Sequence, residues 1–247
     1  MKVSIITTVF NRSETIRFTI ESVLSQDYSD IEYIVIDGAS TDGSMAIIEE
    51  YKDRLSHIVS EPDGGMYEAI NKGLRLATGD VVGLLHSDDL FYDNNVISKI
   101  VAAFEQSGCD LVYGNGYFET RAAENKIVRT WISGPYDYSR LSRGWLPLHT
   151  TVYLRRELIL RNGLYEEDYR IASDTAFLLR YLYIHKVKSY YLDAFVVRMR
   201  IGGISTKLSN TLTKWGEDMR AYRNCGLNPY LVLPLKVLSK VPQFFHR

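Results

Sequence analysis

The chain has 247 residues, a formal net charge of −1 and 46% apolar residues, enough for one large α/β domain or two small ones. The near-neutral charge gives no electrostatic footprint for nucleic acid, and two cysteines, Cys109 and Cys225, exclude a disulfide framework or a cysteine-built zinc site. No apolar stretch is long enough to span a bilayer, and residues 1–6 carry no signal-type apolar core or cleavage site, so the sequence predicts a cytoplasmic protein, at most peripheral on the inner face of the membrane.

In chain order, residues 3–9 read as a strand. Asn11 then caps a helix to about residue 26, with Ile16, Ile20, Val23 and Leu24 at helical spacing. A second strand covers 31–37, and Asp42 starts a helix bearing Met45, Ile47 and Ile48. A short strand is expected at 57–60, a helix at 66–77 ended by Gly79, a buried strand at 81–85, a helix at 94–106 and a strand at 111–113. This alternation predicts a doubly wound, mostly parallel sheet. The rhythm is then lost. Residues 115–155 read as β-ribbons and loops broken by Gly134-Pro135 and Leu146-Pro147. A helix at 175–185, a strand-rich stretch at 187–199 and a polar helix at 207–223 follow. We expect a single domain over 1–228, with a nucleotide half (1–114) and an acceptor half (115–228). Residues 229–247 form an apolar tail with sparse basic residues that lies in a membrane interface or packs on the protein itself.

Ligands of open α/β sheets bind beyond the carboxyl ends of the strands. The run Val81-Val82-Gly83-Leu84-Leu85-His86-Ser87-Asp88-Asp89 puts two adjacent carboxylates at such an end. They repel unless a cation intervenes, and Mg²⁺ is commonly held by one or two carboxylates plus substrate phosphates. Asp37 ends the second strand and can accept from a base or ribose, whereas Asp42 reads as a cap. In Glu61-Pro62-Asp63-Gly64-Gly65, the paired glycines allow close approach of backbone to ligand; Asp63 is a candidate for the base and Lys72 for phosphate or a solvated helix face. Neither Gly-x-Gly-x-x-Gly nor Gly-x-x-x-x-Gly-Lys follows any strand, which counts against dinucleotide oxidoreductases and P-loop enzymes. Asp174 suits a general base or a helix cap. His149 suits an acceptor contact or a buried structural role, and Arg198 and Arg200 suit phosphate or surface ion pairs.

In order, Thr-Val-Phe-Asn, Asp-Gly-Ala-Ser-Thr-Asp-Gly, Glu-Pro-Asp-Gly-Gly-Met-Tyr-Glu-Ala-Ile-Asn-Lys-Gly and Leu-Leu-His-Ser-Asp-Asp resemble family-2 glycosyltransferases of the GT-A fold, most of all the subgroup that builds colanic-acid-like capsular polysaccharides. Ile171-Ala172-Ser173-Asp174 and Gly202-Gly203-Ile204-Ser205 resemble further signatures of that subgroup, and the likeness covers about residues 2–210. The resemblance implies a Rossmann-like mostly parallel sheet. It implies inverting transfer of one sugar from a nucleoside-diphosphate donor, usually UDP-linked, to a saccharide or undecaprenyl-linked acceptor in bacterial surface polysaccharide synthesis. It further implies base binding by Asp37, a nucleotide pocket lined by Thr8 and Asp63, Asp88 near ribose and donor sugar, Mn²⁺ or Mg²⁺ on Asp89, and Asp174 as general base. His86 stands where the family often has an acid, Ser173 where a Glu often precedes the base, and the processive Gln-x-x-Arg-Trp signature is absent. The competing readings are a non-catalytic nucleotide-sugar-binding protein, a sugar nucleotidyltransferase whose Gly-rich N-terminal loop is missing here, and a phosphohydrolase that would need Asp where Thr7-Thr8 stand.

Overall fold

The computed structural model describes residues 1–120, 126–201 and 210–239. Strands β1 (Val3–Val9), β2 (Ile31–Asp37), β3 (His57–Ser60) and β4 (Val81–Leu84) form a parallel unit in the order β3-β2-β1-β4. Between them run helices α1 (Ile16–Leu24), α2 (Ser44–Glu49) and α3 (Met66–Leu76). Beyond β4 come β5 (Leu90–Phe91), α4 (Val96–Ser107), β6 (Leu111–Glu119), β7 (Ile127–Trp131), the single turn α5 (Tyr138–Leu141), β8 (Tyr153–Arg155) and α6 (Arg156–Asn162). Helix α7 (Ser173–Leu179) runs into a wider π turn, and β9 (Ser189–Arg200), α8 (Thr211–Asn224) and α9 (Pro229–Leu238) complete the described chain.

The sheet continues β4-β8-β6-β9-β5, with β7 beside β6. The expected α/β sheet is present, and beyond β4 antiparallel pairs join it. β8 is antiparallel to both β4 and β6, β5 to β9 and β7 to β6, while β6 and β9 are parallel. The result is a parallel half joined to a mixed half. Alternate strand residues feed two cores, as the two-residue period of a strand dictates. Val3, Ile5 and Val9 meet α1, α2 and α4 on one face, and Ile6, Ile34 and Ile36 meet α3, α6, α7, α8 and α9 on the other.

Several local expectations shift. The first helix starts at Ile16, not Asn11, because Asn11 takes a left-handed φ of 52° and braces two loops. Its main-chain N–H donates to Ser40 Oγ (2.8 Å), and its side-chain oxygen accepts from the Thr41 N–H (2.9 Å). The N-cap of α2 is Gly43 rather than Asp42, which stands one residue earlier and braces the helix start by accepting from the Ser44 N–H at 2.9 Å. Helix α3 ends at Leu76, ahead of Gly79, whose N–H donates instead to Ser4 Oγ. Residues 115–155 contain the expected β-ribbon, β6–β7, and also the turn α5. The short strand β5 and helix α6 had no reading in the sequence. In the tail, residues 229–238 are helical despite Pro234. Val232 and Leu233 pack into the core while Tyr230, Leu231, Leu235 and Leu238 are exposed. The Gly202–Ser205 signature and residues 240–247 lie outside the described residues.

Candidate active site

The C-terminal ends of β1, β2 and β4 open on one edge of the sheet and carry Thr8, Asp37 and the His86–Asp89 turn. Asp37 is fully buried. Its Oδ2 accepts from the Ser40 N–H (3.0 Å) and Ser60 Oγ (2.7 Å), whereas its Oδ1 has no hydrogen-bond partner among the described residues. A buried acceptor left open is costly, so this atom calls for a donor from outside the chain. Asp63 stands beside it. Its Oδ1 accepts from the Gly65 N–H at 3.0 Å, and burial, with Asp37 among its neighbours, raises its pKa. Between the two lies Gly38, where a methyl group would meet Asp63 Oδ2 at 2.6 Å and the Phe10 ring at 3.3 Å. Phe10, directly after β1, is 61% exposed at the same edge; its exposure is visible only in the structure, and the sequence offers just its place at the end of the first strand.

Lys72 has other employment. Its ammonium pairs with Glu61 (2.9 Å) and Glu68 (3.2 Å) and donates to the Pro62 carbonyl, so it staples the loop that carries Asp63. Hydrogen bonding to Glu61 is the main reason its pKa is raised.

The adjacent aspartates diverge. Asp88 is half-buried and acts on His86, whereas Asp89 is 4% exposed and its carboxyl accepts from the main-chain N–H of Arg200 at the end of β9. Burial, then the Asp88 charge, raises the Asp89 carboxyl well above its ordinary value. Thr19 Oγ1 donates to the Asp89 carbonyl and Thr15 Oγ1 to that of Ser87, so α1 holds the turn from behind. Among the described residues no cluster of three or more His, Cys, Asp or Glu forms a complete protein cage for a metal. The hard oxygen donors of the aspartate pair fit a cation that takes its remaining ligands from phosphate and water. Arg200 lies over Phe18 and its charge acts on the Asp89 carboxyl, and Arg198 is the register partner of Leu90 in the β5–β9 pair.

Asp174 approaches from the other half. It lies in the first turn of α7, half-buried, with Oδ1 accepting from the Thr175 N–H at 2.8 Å. Its charge reaches His86, His149, Tyr67 and Tyr165. The His86 and His149 rings are 6.4 Å apart. Burial lowers the pKa of His86 and takes His149 down to about 4, so both imidazoles are neutral near pH 7. Burial also keeps the Tyr165 phenol protonated, and its oxygen shares a hydrogen bond of 2.6 Å with His149 Nε2, the His149 tautomer setting which of the two donates. The Tyr165 ring is stacked on Phe177 at 4.0 Å and on Tyr67 at 5.9 Å. The charges of Asp88 and Asp174, from separate parts of the chain, thus both act on His86, whose ring lies near that of His149.

The comparisons with known proteins fit this geometry. Residues 4–169 match the model of Glycosyl transferase family 2. An uncharacterized glycosyltransferase of Mycobacterium tuberculosis is 33% identical over 183 residues, covering 72% of this chain and 68% of that one. A PGL/p-HBAD biosynthesis glycosyltransferase of Mycobacterium bovis is 28% identical over 210 residues, covering 83% and 79%. Among solved structures, residues 1–349 of S. aureus TarS in complex with UDP-GlcNAc superpose with a TM-score of 0.67 at 18% identity, covering 96% of this chain and 70% of that one. The chain spans 44% of the longer TarS structure. The mannosyltransferase PcManGT of Pyrobaculum calidifontis, in complex with GDP-Man and Mn²⁺, gives a TM-score of 0.66 at 16% identity, covering 96% and 73%. The architecture is the GT-A α/β fold, and by the family match and its curated relatives this chain belongs to glycosyl transferase family 2.

Proposed function

We propose that the protein transfers a single sugar, with inversion, from a UDP-linked donor to a saccharide or undecaprenyl-linked acceptor in bacterial surface-glycan synthesis. The observation that carries this reading is the buried Asp37 carboxylate at the C-terminal end of β2, whose Oδ1 is left without a partner among the described residues while Oδ2 is held by Ser40 and Ser60. Asp37 Oδ1 supplies the missing acceptor for a base N–H, with Phe10, Thr8 and Asp63 around it. Asp88 faces the ribose and donor sugar. Asp89 holds Mn²⁺ or Mg²⁺, which when bound offsets the charge of the departing diphosphate. Asp174 takes the proton of the acceptor hydroxyl as its oxygen bonds the anomeric carbon and the carbon–phosphate-oxygen bond breaks, releasing UDP. The neutral His86 and His149 leave the Asp174 carboxylate free of a competing cation on that side. As a phosphate ligand Lys72 would first have to leave Glu61 and Glu68, so we assign it to the Asp63 loop.

The relatives supply the context: TarS was solved with UDP-GlcNAc, and the M. bovis relative is a PGL/p-HBAD biosynthesis glycosyltransferase. No helix among the described residues is long and apolar enough to cross a membrane. The exposed Leu212 and Trp215 of α8 and Tyr230, Leu231 and Leu238 of α9 provide an apolar face for peripheral contact at the cytoplasmic leaflet.

A thermal-shift series with UDP, GDP and their sugar conjugates, with and without Mn²⁺, tests the reading, because a native-state ligand raises apparent stability by mass action. We expect a Mn²⁺-dependent shift with UDP that disappears in Asp89→Asn. Loss in Asp88→Asn alone would move the metal by one residue. Asp174→Asn is expected to keep the shift and lower transfer by roughly 10²–10⁴-fold, the usual range for a general base. Unchanged transfer would remove Asp174 from that role. Flotation of the same preparations with anionic vesicles, lost on replacing Leu231 and Leu238 by Ser, tests the membrane face.

A further inference from the structure

The match to the family model ends at residue 169, five residues before Asp174, so Asp174 and the helices α8 and α9 that pack behind it lie beyond the matched segment. The main chain approaching Asp174 is gripped by α8. Glu217 accepts three consecutive main-chain N–H groups: Arg170 at 2.8 Å on Oε1, and Ile171 and Ala172 at 2.8 and 2.9 Å on Oε2. One turn on, Arg220 donates to the Asp168 carboxylate (2.9 Å) and carbonyl (3.1 Å) and lies 3.6 Å over the Tyr169 ring. From the opposite side, Tyr67 Oη donates to the Ile171 carbonyl at 2.6 Å.

The residue after Asp174 is held by α9. Lys236, 8% exposed, donates to Asp218 Oδ1 at 2.9 Å and to Thr175 Oγ1 at 3.4 Å. A buried ammonium is expensive unless paired and hydrogen-bonded, and both conditions are met here. The place is tight: a methyl group on Gly144 would lie 2.6 Å from Lys236 Cβ. Charge-assisted bonds of this kind are roughly twice as strong as neutral ones, so a carboxylate on three amides is an effective restraint, and the Lys236–Asp218 pair fixes the ammonium beside Thr175.

We propose that α8 and α9 form a positioning clamp for the base, with Glu217 setting the main chain that leads into Asp174 and Lys236 setting Thr175 behind it. This rests on the reading of Asp174 as the base. Neither Glu217 nor Lys236 touches substrate. Their effect is to hold one carboxylate in register with the acceptor oxygen, and misplacement by about 1 Å can cost as much as 10²-fold in rate.

The test uses the full chain and Mn²⁺, with turnover read as nucleoside diphosphate released from the sugar nucleotide that gives the largest thermal shift, water being the acceptor. Two variants are compared with wild type: Glu217→Ala, and Asp218→Asn with Lys236→Met, which removes both charges so that neither is left buried alone. We expect each to bind UDP like wild type and to lower kcat by about 10-fold with donor KM unchanged. In an Asp174→Asn background neither is expected to lower the residual rate further, since the clamp acts through that carboxylate. Hydrogen exchange of the amides of residues 170–172 is expected to quicken in Glu217→Ala, which shows independently of activity that the grip was released. Glu217→Gln, which keeps one acceptor oxygen, is expected to fall between wild type and Glu217→Ala. Quickened exchange with unchanged kcat would overturn the proposal. So would an equal further loss in the Asp174→Asn background, which would mark a general structural effect. If wild type binds UDP but Asp174→Asn turns over like wild type, the assignment of the base has failed, and the clamp falls with it for that separate reason.

Discussion

Asp37 and the Asp88–Asp89 turn stand at the ends of strands bonded along their length to parallel neighbours, whereas Asp174 opens a seven-residue helix and takes its place from side chains of α3, α8 and α9. The backbone ladder places Asp37, and the Asp88–Asp89 turn beyond β4 is held in addition by the hydroxyls of Thr15 and Thr19. In the acceptor half placement depends on single contacts between residues far apart in the chain. The first arrangement tolerates substitution around it. The second concentrates its sensitivity in a few residues that are not themselves at the reacting atoms.

The largest effect is expected at the junction of the two halves. Gly83 of β4 lies opposite Tyr153 of β8, and a methyl group there would approach the buried ring to 2.2 Å. Gly83→Ala is expected to lower unfolding free energy by about 3 kcal/mol, at the upper end of ordinary overpacking costs, read by urea denaturation. A wild-type midpoint would mean that the halves meet loosely and that the contrast drawn above is overdrawn.

The next belongs to the acceptor half. The His149 pKa is about 4 when folded and near 6.5 when unfolded, so between those values the unfolded chain takes up the proton first and stability falls as pH falls. With the ring partly reached by solvent, the loss from pH 7 to 4 is of order 1–3 kcal/mol. His149→Gln is expected to flatten this part of the stability-against-pH curve. A parallel curve for the variant would show that His149 is not the group responsible.

The smallest is in the donor half. Gly38→Ala would push on the Asp63 carboxylate and Phe10 without touching the sheet. UDP affinity is expected to drop about 10-fold, or 1.4 kcal/mol, with little change in melting temperature. Unaltered UDP titration would place the base away from Gly38.

The same contrast explains what was legible in the residues. Strand periodicity and the carboxylates at strand ends could be read locally, and so could Asp42, which braces the start of a helix two residues away. The mixed half could not. β8 is three residues long and β5 two, too short for any period to show, and their direction is set by partners from other parts of the chain. Lys72 illustrates the limit differently. Its i,i+4 acid, Glu68 on the preceding turn, is visible in the sequence, but Glu61, across a Gly-Gly loop, becomes its partner only once the loop folds back. Asn11 reads as a cap by type, yet a left-handed turn turns it to the neighbouring loop. Glu217 carries no local signal at all, because its three partners lie some 45 residues earlier, on another element.

Strand β5 follows Asp88–Asp89 directly, and its sheet partner is β9, through Leu90↔Arg198 and Phe91↔Val197. That pairing spans roughly a hundred residues, and domains emerge from the ribosome at about 5–20 residues per second. During synthesis the parallel half, complete by Leu84, can therefore form seconds before the strand that secures the aspartate turn exists. A nascent chain, or one cut short ahead of residue 197, presents the Asp37 side of the site with the Asp88–Asp89 turn still unsecured at its far end. The order of translation thus separates formation of the Asp37 edge from completion of the aspartate turn.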